Sequence, residues 1–166
     1  MKVMSIDGST KSSGWAIFEN KQLIASGFVV STNKNTLTRI KEMQKMLRAI
    51  YDQYLPDEIV MEDVMPEDVH NSQAAFKPLM YLQGAMALEF NEVKKEIHFY
   101  VSSEWRKLCG IKTGRGIKRE VLKAAAMQIV KEKYNIDSND DECDAICIGY
   151  AYSHSLKVSN NKESAF

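Results

Sequence analysis

Three strand-like runs crowd the first thirty residues, and that crowding limits the folds open to the chain. "KVMSID", "GWAIFEN" and "QLIASGFVV" are apolar runs separated by turn residues at 8–13 and at Asn20–Lys21. A parallel pair needs a crossover of about a dozen residues or more, so runs this close must fold back as an antiparallel meander. The first run ends in an acid, Asp7, with a Gly/Ser-rich turn behind it. Such an ending suits a phosphate loop, a metal ligand on a sheet rim, or a plain hairpin.

The rest of the chain alternates. From about Thr36 to Tyr54, Leu37, Ile40, Met43, Leu47, Ile50 and Tyr54 recur at three- and four-residue steps, which predicts an amphipathic helix ended by Pro56. "DEIVME" reads as a short strand. A second helix is expected over about 72–94, with Ala75, Leu79, Leu82, Met86 and Phe90 on one stripe, before a fifth strand, "IHFYVS". A helix over 102–108, a Gly-rich basic loop "GIKTGRG", and helices over about 117–134 and 141–154 follow. This order predicts an α/β fold, a five-stranded mixed sheet flanked by helices. With 166 residues the chain suits one domain, expected over 1–157, with a polar tail at 158–166.

The right-handed crossover rule lets the strand before Glu62 lie parallel to the strand before Asp7. Both acids then emerge at the carboxyl edge of the sheet. A third element is "NDDECDAICIGYA", in which Asp141 and Asp144 stand at i,i+3 and share a helix face. Each acid alone has an ordinary reading as a helix cap, loop acid or turn residue. Four converging carboxylates repel one another unless protons or cations neutralise them. An all-oxygen set suits Mg²⁺ or Mn²⁺ better than Zn²⁺, and two such ions can activate a water and stabilise the leaving oxygen of an in-line displacement at a phosphodiester.

Charge supplies the counterpart. The chain has 22 basic and 22 acidic side chains, so its total charge points to no partner. The distribution does: Arg106, Lys107, Lys112, Arg115, Lys118, Arg119 and Lys123 are set against one acid, Glu120, between residues 105 and 123. These cations can neutralise phosphates, and Gly110, Gly114 and Gly116 let the backbone approach a ligand. Lys107 and Lys118 read as functional, Lys123 as part of a solvated helix face, and Trp105 as a core residue rather than a stacking platform. Cys109, Cys143 and Cys147 form no CxxC pair and read as reduced thiols, while His70, His98 and His154 lack ligand spacing. No apolar run is long enough to span a bilayer, and Asp7 interrupts any signal-peptide core, so a cytoplasmic protein without a membrane partner is expected.

These segments resemble the RuvC-type Holliday junction resolvases of the RNase H-like superfamily, most closely the short forms carried by bacteriophages, over residues 2 to about 154. "IDGSTKSSGWAI" corresponds to the family's "IDPGxxxxGxxx", with Asp7 at the catalytic acid and Gly14 at the later glycine. "MEDVM" sets Glu62 at the second acid, and "DECDA" sets Asp141 and Asp144 at the final pair. Lys107, with Arg106 as the adjacent alternative, and Lys118 match the family's basic pair. Two departures stand out: "DGS" replaces "DPG", and Met65 stands where many relatives place an aromatic wedge.

The resemblance implies a structure-selective endodeoxyribonuclease that cuts four-way junctions and other branched DNA, forks included. It implies a homodimer joined through the second helix, where Ala75, Leu79, Leu82 and Met86 could serve, although that stripe reads more readily as intramolecular core. It also implies two Mg²⁺ ions per site, replaceable by Mn²⁺, held by Asp7, Glu62, Asp141 and Asp144. Lys118 would stabilise transition-state charge. Arg106, Lys107, Lys112, Arg115, Lys118, Arg119 and Met65 would contact DNA. Competing readings are another RNase H-like nuclease acting on RNA/DNA hybrids, a binding-only module for branched DNA, and a sugar-kinase or actin-like ATPase. The last has a phosphate loop that "DGSTKSSGWA" loosely mimics, but it needs a second lobe for which 166 residues leave no room.

Overall fold

Strands β1 (Lys2–Asp7), β2 (Ser12–Glu19) and β3 (Gln22–Val30) form the expected meander, turning tightly at Asn20 and Lys21, both at positive φ. The computed structural model describes residues 1–65 and 73–155. Glu67, Asp68, His70, the expected helix start at Ser72 and the tail 158–166 lie outside the described residues. Helix α1 (Thr36–Tyr54) is capped by Asn35, whose side chain accepts from the Thr38 N–H. It is followed by β4 (Glu58–Glu62), α2 (Gln73–Glu92), β5 (Ile97–Tyr100), α3 (Ser102–Leu108), α4 (Arg119–Tyr134) and α5 (Asp140–Ser155).

The strands lie in the order β3-β2-β1-β4-β5. The β1–β2 and β2–β3 pairs are antiparallel, and β1–β4 and β4–β5 are parallel. This is the mixed five-stranded sheet expected from the order of elements.

Period-two alternation along the strands builds two cores. Met4, Ile6, Ile17 and Met61 point to one face, where they meet Met43 and Leu47 of α1 and Leu82, Met86 and Phe90 of α2. Val3, Ala16, Phe18 and Val60 point to the other, where they meet Trp105 of α3, Ala126 and Val130 of α4, and Ile146 and Cys147 of α5. Each fully buried Val, Leu, Ile, Phe or Met among them contributes about 1.5–3 kcal/mol.

Helix α5 is buried on nearly every side, as a helix laid across the middle of a sheet must be. It comes close because its neighbours are small or satisfied. Ser5, fully buried in β1, donates its hydroxyl to the Ala145 carbonyl at 2.7 Å. Gly149 lies over Phe18, and a Cβ there would stand 2.6 Å from the ring. Among the described residues, no helix is long and apolar enough to cross a membrane.

Candidate active site

Asp7 closes β1 and Glu62 closes β4. The parallel register pairs Ile6 with Met61, which makes the two acids next neighbours at the carboxyl edge of the sheet. The first turn of α5 comes to the same edge. Gly14, the partner of Asp7 in the β1–β2 ladder, leaves room for it: a Cβ at residue 14 would stand 1.8 Å from the Asp141 carbonyl oxygen. The Ser12 hydroxyl donates to the Asp141 carboxylate and ties the helix start to β2.

Asp7, Glu62, Asp141 and Asp144 thus face one cleft of about 840 Å³, with Arg106, Arg119 and Lys123 on its walls. Burial, then the charges of Glu62, Asp144 and Asp141, push the Asp7 carboxyl well above its ordinary range, while Lys123 pulls it back. Burial and Glu62 raise Asp144 to about 7, against the opposing charges of Arg106 and Lys123. Burial also raises Asp141, which Ser12 partly offsets. This edge holds more negative charge than the protein alone neutralises.

Among the described residues, no three Asp, Glu, His or Cys side chains are already drawn together as a group able to hold a metal ion. The donor set still fits a hard divalent cation. It consists of oxygens only, and its mutual repulsion is what a cation would relieve.

The neighbouring acids have other tasks. Glu142, buried, accepts from Ser26 Oγ at 2.6 Å and from Ser138 Oγ. Asp140 pairs with Lys123. Burial works against the Asp140 charge, but the hydrogen bond and charge of Lys123 outweigh it and hold the carboxyl below its ordinary value.

The expected cations divide. Arg106 and Arg119 line the cleft, whereas Lys107, Lys112, Arg115 and Lys118 are exposed outside its lining, Lys118 at the N-cap of α4. Lys123 corrects the solvated-face expectation. It shares the inward stripe of α4 with Ala126 and Val130, so it turns toward α5 and the acids. Trp105 is a core residue, as expected, but its indole N–H also donates to Glu62 Oε2 at 3.0 Å. Sequence reasoning missed Ser12 and Lys123 as site residues. The i,i+4 step from Arg119 to Lys123 was the available signal for the second.

The family model for the crossover junction endodeoxyribonuclease RuvC matches residues 3–153. The chain belongs to the RuvC family. A RuvC of Campylobacter concisus is 26% identical over 96% of this chain and 100% of its own length. A RuvC of Ehrlichia ruminantium is 24% identical over 95% and 99%. In fold, the chain is similar to Thermus thermophilus RuvC solved with a Holliday junction substrate, at a TM-score of 0.74 and 12% identity over 96% of both chains. It also resembles a fowlpox virus resolvase solved with Holliday junction DNA, at a TM-score of 0.59 and 16% identity over 95% and 99%. Within this member of the family, the "DGS" turn places Gly8 against Met61, whose Cε would meet a residue-8 Cβ at 2.1 Å. Met65 is partly exposed beyond Glu62.

Proposed function

We propose that the protein is a structure-selective endonuclease that cuts four-way junctions and other branched DNA by metal-dependent phosphodiester hydrolysis. One observation carries this reading: four carboxylates from β1, β4 and α5 share a cleft with Arg106, Arg119 and Lys123 in a chain of the RuvC family. Asp7, Glu62, Asp141 and Asp144 would hold the divalent cations, two Mg²⁺ per site with Mn²⁺ able to replace them. Bound there, such ions supply Lewis-acid activation of water and of the leaving oxygen.

The protein's own groups do the rest. Asp7 and Glu62, fixed by strand hydrogen bonding, set one side of the site. Asp141 is held by Ser12, and Asp144 by its burial in α5. Arg106, Arg119 and Lys123 draw in a phosphate and offset charge as it develops. Lys107, Lys112, Arg115 and Lys118 line the approach for the flanking backbone, with Lys118 closing on the scissile phosphate once DNA is bound, and Met65 wedges between bases at the branch.

The domain at 1–157 acts as a homodimer, whose two-fold symmetry matches a junction. Leu82 and Met86 are committed to the core, so the dimer contact falls on the exposed face of α2, at Met80, Tyr81 and Leu88. These are large apolar side chains on one helix surface, 41%, 56% and 72% exposed.

The test is a synthetic four-way junction incubated with the protein, with and without Mg²⁺, beside Asp7→Asn. Paired nicks that need both Mg²⁺ and Asp7 are expected. Cleavage that persists in the variant or under chelation would sink the assignment, and faster cutting of an RNA/DNA hybrid would move the protein to the other nuclease class.

A further inference from the structure

Trp105 heads the largest fully buried side chains of the protein, yet its one polar atom reaches the functional edge. The indole N–H donates to Glu62 Oε2 at 3.0 Å. An indole has a single donor and no acceptor, so a ring locked by packing presents that donor at one fixed point. Trp105 is locked in this way, sharing a core cluster with Val60, Ile146 and Cys147.

The surrounding bonds hold α3 and Glu62 in register. The Cys109 N–H donates to the Trp105 carbonyl at 3.0 Å, and Cys109 Sγ donates to the Cys147 carbonyl of α5 at 3.4 Å. The Gln83 side chain of α2 donates to the Glu62 backbone carbonyl at 3.0 Å. Glu62 is thus gripped at its main chain from one face of the sheet and at its carboxylate from the other. On the Trp105 ring, the Arg106 guanidinium stacks 4.6 Å from the centroid and reaches the cleft.

We propose that Trp105 is the positioning residue of the site: its indole N–H orients the Glu62 carboxylate for a divalent cation, and its ring orients Arg106. The proposal rests on the reading of Glu62 as a metal-binding acid. A carboxylate offers about four lone-pair sites, and the indole N–H occupies one of those on Oε2, so rotation of the carboxylate about its last bond would break the indole bond while the other sites stay open to a cation. The bond therefore pre-selects one carboxylate orientation before a cation arrives, and partners of this kind change metal affinity by about 10- to 100-fold when removed.

The experiment uses the full chain, Trp105→Phe and Glu62→Gln. Phenylalanine keeps most of the packing and an aromatic face for Arg106 but lacks the N–H. The Mg²⁺ and Mn²⁺ dissociation constants, measured by calorimetry without DNA, should rise about tenfold in Trp105→Phe. Junction affinity without divalent cation should stay within twofold. The Mg²⁺ concentration for half-maximal cleavage should rise by the same factor, with most of the rate recovered at saturating Mg²⁺. A residue that only fills the core would leave this split unmoved.

A second readout avoids the Phe variant. The chain has two tryptophans, so two indole N–H resonances are expected. Glu62→Gln, or Mg²⁺ added to the unaltered protein, should shift that of Trp105 and not that of Trp15. A folded Trp105→Phe with unchanged cation affinity, or a Trp105 resonance blind to Glu62→Gln, would overturn the proposal. A wild type that cuts no junction yet shows the tenfold difference in cation affinity would overturn the proposed function while supporting the positioning role.

Discussion

Gly14 and Asp141 occupy the same small space: a Cβ on the first would stand 1.8 Å from the carbonyl oxygen of the second. The blocking atom is backbone, so no side chain can swing aside. Gly14→Ala must push the first turn of α5 away from β2, and Asp141 with it. Because a 1 Å misplacement costs about 100-fold in rate, junction cleavage should fall at least that far. Circular dichroism and cleavage assays on the same sample check this, and a folded, fully active variant would refute it.

Gly149 makes the matching case for stability. In a helix interior, Gly→Ala ordinarily stabilises by about 1 kcal/mol. Here the added methyl would meet Ser5 Oγ at 2.5 Å and the Phe18 ring at 2.6 Å. Overpacking of this kind costs about 1–3 kcal/mol, so the thermal midpoint of Gly149→Ala should fall. A rise would show that α5 has slack that the packing does not suggest.

Asp144 sets a pH dependence whose sign is fixed by the raised carboxyl. Its folded value of about 7 exceeds the unfolded carboxylate value near 4, so the folded state holds the proton more tightly between them. The contribution is stabilising at low pH and is lost as pH climbs from about 4 to about 7. Without divalent cation, Asp144→Asn should therefore melt higher than wild type at pH 8, by roughly 5 °C, and the gap should close toward pH 4. Thermal scans in chelator across that range test it. A gap that widens on acidification would reverse the argument.

Lys123 lowers the carboxyls of Asp7, Asp141 and Asp144 by its charge. Removing it in Lys123→Gln lets all three rise, so the acidic limb of the cleavage profile should move to higher pH. If Lys123 also meets a phosphate, the salt dependence of junction binding should lose about one counterion. An unmoved acidic limb would return Lys123 to the role of a tether for Asp140.

Leu88, 72% exposed, contributes little to its own subunit's core. Leu88→Glu should keep the native circular dichroism spectrum, shift the sedimenting species from dimer to monomer with loss of only the stabilisation that dimerisation supplies, and abolish paired nicking. A wild type that sediments as a monomer at micromolar concentration would exclude the α2 contact.

Much of this architecture was legible in the sequence because local patterns carry it. Turn chemistry after Glu19 and the short spacing of the first three runs forced the meander. Strand-like runs ending at Asp7 and Glu62, with the i,i+3 step from Asp141 to Asp144, located the edge where all four acids meet. What stayed hidden depends on contacts between distant segments. No local pattern reports that Trp105 reaches Glu62, that Lys123 turns inward, or that Gly14 yields space to a helix 127 residues further on. The exposed face of α2 was hidden for the opposite reason: an apolar stripe at helical spacing looks the same whether its own core or another molecule covers it.

The lateness of α5 has a consequence for the cell that makes this chain. Asp7 leaves the ribosome 137 residues before Asp144, and the cleft does not exist until Asp144 has emerged and Ser5 has bonded to the Ala145 carbonyl. Synthesis at about 5–20 residues per second separates the two events by many seconds. On the proposed function, an unfinished polypeptide therefore carries half of the carboxylate set and is expected to cut nothing. On the same reading, truncation anywhere before α5 would leave a fragment without nuclease activity.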